Sequence, residues 1–94
     1  MQTTNIPDDT RPQLANGVRF EIDSTTGKGV LLFPEGILEL NETAQEIVVR
    51  CDGRPLNKIV LELAEEYEAN LETLAADVRE TLADLQRRKL VEFA

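Results

Sequence analysis

The side chains that most often carry out catalysis are scarce in this sequence of 94 residues. Histidine is absent, which removes the commonest general acid or base and the commonest metal ligand. Serine occurs once, at Ser24, among threonines and glycines that predict an exposed loop, and no histidine is there to activate it as a nucleophile. We therefore expect neither a serine nucleophile nor a histidine metal site.

Carboxylates are abundant, with 18 Asp and Glu against 10 Lys and Arg. Many fall on the presumed outer faces of the last two predicted helices: Glu62, Glu65, Glu66, Glu68, Glu72, Asp77, Glu80 and Asp84. Such runs are typical of solvated helix faces, and paired-carboxylate catalysis or a carboxylate metal site is the alternative. The glycines form neither a G-x-G-x-x-G pattern nor a phosphate-binding P-loop. The sequence thus predicts a protein that is not an enzyme and that holds no cofactor or metal.

The single cysteine, Cys51, has no partner in the chain for a disulfide. It falls on the apolar face of a predicted helix, where a small buried side chain is the simplest interpretation. A reactive thiol at the surface is the alternative.

The formal net charge of −8 argues against one class of partner. Proteins bind nucleic acid largely through Lys and Arg that neutralise phosphates, so we expect no nucleic-acid partner and a preference for basic surfaces. No apolar run approaches the ~20 residues that span a bilayer, and the first residues do not resemble a secretory signal. We expect no membrane segment and a cytoplasmic location.

The elements that would position any site begin with three short strands. Residues 18–22 alternate between apolar and charged side chains, and residues 30–33 and 37–40 are short apolar runs separated by a Pro-Glu-Gly turn. An antiparallel meander is the simplest arrangement. In the third strand Leu38 and Leu40 can face the helices, while Ile37 and Glu39 face outward.

Three helices are predicted after these strands. Asn41 is placed to cap the first, which Asp52 and Gly53 end, and Pro55 starts a second that ends near Glu68. Asn70 caps the third. Its C-terminal end contains the basic residues Arg87, Arg88 and Lys89, which complement the helix dipole or, secondarily, form a docking patch.

The resulting fold class is α+β: a small winged-helix-like domain with a three-stranded antiparallel sheet followed by three helices. Residues 1–10 are polar and show neither the helical nor the strand periodicity of apolar residues, which predicts a flexible N-terminal arm. Residues 11–94 are predicted to form one domain. Residues 90–93 form a short apolar tail that we expect to pack on the core. Many winged helices bind DNA, so a DNA-binding regulator is the alternative function, and a subunit with purely structural contacts is a third.

The third strand is the feature most suited to binding. In a three-stranded meander the last strand lies at an edge and leaves one row of backbone N–H and C=O groups unpaired. An extended peptide can add to such an edge, with its side chains selected by neighbouring pockets. The third helix would form the wall of such a groove.

Several segments, in this order, resemble one known family. They are R-P-x-L-A-x-G-V-R at residues 11–19, L-L-F-P-E-G at 31–36, L-N-E-T-A at 40–44, C-D-G-R at 51–54 and D-V at 77–78. Their order and spacing resemble the pyrroloquinoline quinone biosynthesis protein D family, PqqD, over roughly residues 11–91. Members of this family are peptide chaperones, the stand-alone form of a recognition element found in enzymes that modify ribosomal peptides.

The resemblance implies a partner and a site. The leader part of the precursor peptide PqqA would add antiparallel to the third strand and contact the third helix. The complex would present PqqA to PqqE, a radical S-adenosylmethionine enzyme that crosslinks a Glu to a Tyr. Carried over by position, the peptide-binding residues are Ile37, Leu38, Glu39, Leu40, Asp77, Val78, Thr81, Leu82 and Leu85. Val78, Leu82 and Leu85 are equally explained as core.

Overall fold

The strands and helices follow one another along residues 6–94, the part of the chain that the computed structural model describes. They are β1 (Pro12–Leu14), β2 (Arg19–Ile22), β3 (Gly29–Phe33), β4 (Gly36–Glu39), α1 (Glu42–Val48), α2 (Leu56–Tyr67), α3 (Leu71–Arg87) and β5 (Val91–Phe93). The predicted α+β class, with an antiparallel sheet followed by three helices, is confirmed. The winged-helix likeness stays a prediction.

The central sheet has the order β2-β3-β4 and is antiparallel throughout. Leu31 lies in the middle of the sheet, paired with Phe20 on one side and Leu38 on the other. Because side chains alternate between the two faces of a strand, these three residues share the face that packs on the helices, where Leu31 is fully buried. The three predicted strands are confirmed, with bounds that differ by one residue.

A second sheet was not predicted. β1 pairs antiparallel with β5, and Leu14 lies opposite Val91. Each strand has three residues, too few to show a period of two, and the partners lie at opposite ends of the chain. The predicted apolar tail is thus a strand, and Leu90 and Val91 are buried in the core as expected.

The helices begin where their caps predict. The side-chain oxygen of Asn41 accepts a hydrogen bond from the N–H of Ala44 at 2.7 Å, and that of Asn70 accepts one from Thr73 at 3.0 Å. Helix α1 ends at Val48, earlier than predicted, and a turn leads to Gly53, whose φ of +98° favours glycine. The buried helix residues are Ile47, Val48, Leu56, Ile59, Val60, Leu63, Leu74, Val78, Leu82 and Leu85. As far as residues 6–94 are concerned, the structure contains no helix that could span a membrane.

The segment predicted as a flexible arm makes defined contacts in its described part. Residues 1–5 lie outside the described part of the chain, but residues 6–10 are attached to the helices. The carbonyls of Asp8 and Thr10 accept hydrogen bonds from the first N–H groups of α2, those of Asn57 at 2.9 Å and Leu56 at 2.7 Å. The residue before α2, Pro55, has no side-chain oxygen to cap those groups, so the backbone of residues 8–10 satisfies them instead.

Arg79 of α3 also binds this segment. Its guanidinium donates to the carbonyl of Ile6 at 2.8 Å and forms an ion pair with Asp8, while the Ile6 side chain is buried in the core. A polar composition predicted mobility, but these contacts join positions more than 70 residues apart in the chain and leave no local pattern.

Candidate functional site

The outer edge of β4 presents backbone groups that the sheet does not use. The N–H of Leu40 donates to the carbonyl of Gly29 at 2.9 Å, and antiparallel strands alternate bonded with non-bonded pairs. The pair Leu31–Leu38 is therefore bonded, whereas Ile37 and Glu39 direct their N–H and C=O groups away from β3. Within residues 6–94 no strand pairs with that edge.

The β2 side of the sheet supports the same assignment. The N–H of Asp23 donates to the carbonyl of Lys28 at 2.8 Å, so Asp23 and Lys28 form a bonded pair. Counting along the register in steps of two, the next bonded pairs between β2 and β3 are Glu21–Val30 and Arg19–Leu32. Val30 therefore uses its backbone groups toward β2 and leaves Glu39, its partner in register, with an edge-facing N–H.

A groove of about 710 Å³ lies between this edge and α3, and we call it the β4–α3 groove. One wall is formed by β4 and the start of α1: Leu38, Glu39, Leu40, Asn41, Thr43 and Ala44. The other wall is α3, with the charged residues Asp77, Glu80, Asp84, Arg87 and Arg88 together with Thr81 and Leu85. An extended chain lying in this groove would meet backbone donors and acceptors on one side and α3 side chains on the other.

The groove is acidic. Asp84 forms ion pairs with Arg88 at 3.0 Å and Arg87 at 3.3 Å, so the two cations of the groove are already occupied. Glu39, Asp77 and Glu80 form no ion pair with any residue of the described range 6–94. A basic side chain on a bound ligand would be favoured there, and a phosphate would be repelled.

The structure brings together six of the nine residues predicted for the site. Leu38, Glu39, Leu40, Asp77, Thr81 and Leu85 all line the β4–α3 groove. Ile37 lies instead on the outer face of the sheet, with 66% of its surface exposed.

Val78 and Leu82 have 0% exposure and belong to the core, outside the groove lining. They share a stripe with Leu74 and Leu85, which faces the other helices at spacings of three and four. In this structure neither side chain is within reach of a ligand in the groove. Leu85 is also 97% buried, with 3% exposed, and meets the groove at its floor.

Further charged residues of α3 line the groove and were not among the predicted site residues. Glu80 and Asp84 were interpreted as part of a solvated face, and Arg88 as a complement to the helix dipole or, secondarily, as part of a docking patch. A signal was present, because Asp77, Glu80, Asp84 and Arg88 recur at spacings of three and four and therefore share one helix face with the predicted Asp77. Only the position of β4 shows that this face looks onto a groove.

A second charged region joins α1 to α2, and its charges are paired. Arg50 contacts Glu46 at 2.8 Å, Glu62 at 3.1 Å and Glu66 at 3.3 Å. Arg54 contacts Glu62 at 2.6 Å and Asp52 at 2.7 Å. We call these six residues the α1–α2 ion network. Glu62 and Glu66, predicted to be solvated, are thus part of a structural contact.

The pKa values of the network follow from these contacts. Hydrogen bonds from Arg54 lower the pKa of Asp52 to about 2. Burial acts to raise the pKa of Glu62, but hydrogen bonds and charge from Arg54 and Arg50 outweigh it, and the pKa of that carboxyl lies below its usual value. Asp52 therefore stays ionised well into the acid range, and Glu62 stays ionised to a lower pH than an ordinary glutamate.

Cys51 is a core residue in this structure. It is 6% exposed, and its thiol donates to the carbonyl of Ile47 at 3.3 Å. Burial raises the pKa of the thiol to about 12, so it is not a thiolate at neutral pH. Across the part of the chain that the structure describes, Cys, Asp and Glu side chains form no group that could hold a metal ion.

Comparisons with known proteins agree on one family. A family model described as "Coenzyme PQQ synthesis protein D (PqqD)" matches residues 28–91. A protein of Xanthomonas oryzae pv. oryzae (strain KACC10331 / KXO85) described as "PqqA binding protein" is 42% identical over 91 residues, which cover 96% of this chain and 99% of that protein. A protein of Rhizobium meliloti (strain 1021) with the same description is 38% identical over 82 residues, 86% of this chain and 84% of the relative.

A solved structure shows the same fold. It is the solution NMR structure of the PqqD truncation of Methylobacterium extorquens PqqCD, described as a functional and stand-alone recognition element for ribosomally synthesized and post-translationally modified peptides. The two chains superpose with a TM-score of 0.75 at 33% sequence identity, covering 86% of this chain and 87% of the other.

Proposed function

The chain belongs to the PqqD family, and on this premise we propose that it is a peptide chaperone of pyrroloquinoline quinone biosynthesis. It binds the precursor peptide PqqA by strand addition to β4 and presents it to the radical S-adenosylmethionine enzyme PqqE. Relatives described as PqqA binding proteins and a neighbour described as a recognition element support the peptide-binding part. Its contribution is binding and orientation, and the chemistry belongs to the partner enzyme.

The observation that carries this proposal is the open edge of β4 beside α3. The N–H and C=O groups of Ile37 and Glu39 face away from β3, as the register requires, and the edge that they form borders the β4–α3 groove at Leu38, Glu39 and Leu40. An extended peptide that lies in the groove completes a fourth strand with these groups. Its alternate side chains then point into the groove, toward Leu38 and Thr81.

Magnitudes agree with a specific but reversible complex. The four backbone groups of Ile37 and Glu39 can form four hydrogen bonds, each contributing about 1 kcal/mol net. Two apolar anchors would add ~1.5 to 3 kcal/mol each, while ordering the peptide and losing rigid-body freedom oppose binding by a comparable amount. The expected dissociation constant lies between micromolar and nanomolar.

The role of such a complex is to raise the effective concentration of the peptide at the enzyme. A peptide held as a β-strand has one extended conformation, so fewer conformers need to be searched when the partner binds. The enzyme then meets a bound substrate of fixed direction rather than a flexible chain.

DNA binding, the alternative that the sequence left open, receives no support from the charges of the groove. Its arginines are paired with Asp84, and its remaining carboxylates would repel phosphates. We expect labelled PqqA to bind this protein and labelled duplex DNA not to bind it in parallel titrations at the same low salt concentration. Binding of DNA alone would overturn the proposal.

The same titration followed by NMR tests the site. Backbone amide shifts concentrated in β4 and in residues 77–85 of α3 are expected when PqqA is added. If the shifts instead concentrate on α2 while β4 stays unchanged, peptide binding is retained but strand addition to β4 is wrong.

A further inference from the structure

We propose that two side chains on the outer face of β4, Glu39 and Ile37, select the sequence of the bound peptide. They require a basic residue opposite Glu39 and an apolar residue opposite Ile37. The inference rests on the proposed strand addition to β4 and specifies which peptide segment is accepted there.

The outer face of β4 is the face turned away from the helices, and at the open edge it adjoins the β4–α3 groove, which Glu39 also lines. Side chains alternate along a strand, and Leu38 is half-buried toward the helices while its two neighbours are exposed on the other face. A peptide strand added at this edge alternates in the same way. Every second peptide side chain would therefore lie on the outer face, directly beside Ile37 or Glu39.

The register of the sheet gives each of these two positions its own chemical surroundings. One row across the outer face runs from Arg19 through Leu32 to Ile37, and Ile37 is 66% exposed. Its neighbour Leu32 is half-buried, so this row ends at the open edge with two adjacent apolar side chains. A peptide side chain added to this row gains contact with Ile37 if it is apolar.

The next row runs from Glu21 through Val30 to Glu39. Glu21 is paired with Arg19 at 3.2 Å, but Glu39 has no ion-pair partner among residues 6–94. The row therefore ends at the open edge with a carboxylate that has no ion-pair partner in the described range, although Lys28 lines a second cavity together with it. A Lys or Arg in the directly opposite peptide position forms the cross-strand pair, and an acid there is repelled.

The antiparallel direction fixes the order of the two positions. Along an antiparallel peptide the residue opposite Glu39 comes first, the next residue points into the groove beside Leu38, and the third lies opposite Ile37. The accepted segment thus reads basic, groove-facing, apolar. A parallel peptide would reverse the order, so the order found by experiment reports the direction of the added strand.

Reversing the charge of Glu39 and of basic residues in PqqA tests this inference. Wild-type protein, Glu39→Lys and Glu35→Lys are titrated with PqqA and with PqqA variants in which each Lys or Arg is replaced in turn by Glu. Glu35 is the matched control, because it is exposed in the turn before β4 and its replacement changes the net charge equally. Both replaced side chains are exposed, and circular dichroism confirms that each variant is folded.

We expect Glu39→Lys to weaken PqqA binding by roughly two- to tenfold relative to Glu35→Lys, and one PqqA variant to restore it. Binding by Ile37→Lys should then be restored by an acidic residue in PqqA, placed two positions toward the C-terminus from the residue whose replacement rescues Glu39→Lys. Equal binding by the two charge-reversal variants, or rescue by no peptide, would overturn the inference.

The controls separate this inference from the proposed function. If wild-type protein does not bind PqqA, or binds without amide shifts in β4, strand addition itself is wrong. If it binds with those shifts and the exchange at Glu39 has no effect, the proposed function stands and the outer-face selection is wrong. Rescue at a position two residues toward the N-terminus would overturn the stated order.

Discussion

The α1–α2 ion network and the β4–α3 groove contain the same residue types and differ in how their charges are satisfied. In the network, Arg50 is surrounded by three carboxylates and only 18% of its side chain is exposed. In the groove, three carboxylates have no ion-pair partner among residues 6–94, and a strand edge beside them leaves backbone groups unpaired. A satisfied cluster stabilises the fold, whereas an unsatisfied one is available to a ligand.

The position of the arginines explains the contrast. Arg50 and Arg54 lie between the end of α1 and the face of α2, so Arg50 reaches carboxylates of both helices and Arg54 reaches Asp52 in the connection and Glu62 in α2. Arg87 and Arg88 are held by Asp84 of their own helix at spacings of three and four. The groove therefore has no cation that bridges to β4, and its two walls are joined by no ion pair within the described residues.

The largest expected effect on binding comes from proline in β4. Glu39→Pro removes an N–H that faces the open edge, where proline is tolerated, so the fold should survive while PqqA binding weakens roughly tenfold or more. Leu38→Pro removes an N–H that bonds to β3 and should unfold the domain. Circular dichroism and a binding titration of both variants distinguish the two effects.

The control for this pair is Glu39→Ala, which keeps the backbone donor. Its binding should fall by less than that of Glu39→Pro. A Glu39→Pro variant that is folded and binds as well as wild type would show that the edge of β4 is not the peptide site.

Substitutions in the α1–α2 ion network should lower the stability of the fold and leave peptide binding unchanged. Arg50→Gln leaves Glu46, Glu62 and Glu66 close together without their shared cation, and we expect a loss of about 1 to 2 kcal/mol in the free energy of unfolding. Arg19→Gln, which breaks an exposed pair with Glu21, should cost less than about 0.5 kcal/mol. Urea unfolding of both variants measures the difference. Reduced peptide affinity in a folded Arg50→Gln protein would contradict the division between the two regions.

Cys51 is expected to contribute to stability and not to peptide binding. Removing the buried sulfur in Cys51→Ala, which leaves only the Cβ methyl group, should cost about 1 kcal/mol of unfolding free energy and leave PqqA binding unchanged. Thermal unfolding and a binding titration check both parts. A variant that is as stable as wild type but no longer binds would assign Cys51 to the site.

The smallest expected effect is a pH dependence of the network. The pKa of Asp52 is lowered to about 2, below its usual value near 4, so its pairing with Arg54 stabilises the protein above about pH 4 and is lost as the pH falls toward 2. Arg54→Gln removes that pairing. The stability difference between wild type and Arg54→Gln should therefore narrow between pH 4 and pH 2, as measured by urea unfolding. A difference that is constant over this range would show that Asp52 is not coupled to Arg54.

The helix caps and the strands of the central sheet could be predicted because their signals are local. Asn41 and Asn70 cap the helices that follow them, and the alternation around Leu38 gives the correct face of β4. The groove could be predicted in outline, because an edge strand followed by an amphipathic helix implies one. The resemblance supplied the positions on α3.

Contacts between distant segments could not be predicted. The pairing of β1 with β5, and the attachment of residues 6–10 to α2 and α3, join segments that share no pattern in the sequence. The same limit applies to α3. The sequence places Val78 and Asp77 next to each other, and only the packing shows that the first is core while the second lines the groove.

The α+β class, the three helices, the negative charge and the scarcity of catalytic side chains follow from the amino-acid sequence alone, because composition, periodicity and capping are properties of short stretches. The tertiary structure decided which carboxylates are paired, which backbone groups of β4 face outward and which face of α3 meets them. These depend on the register between strands and on distances between elements, which are set when the helices pack against the sheet.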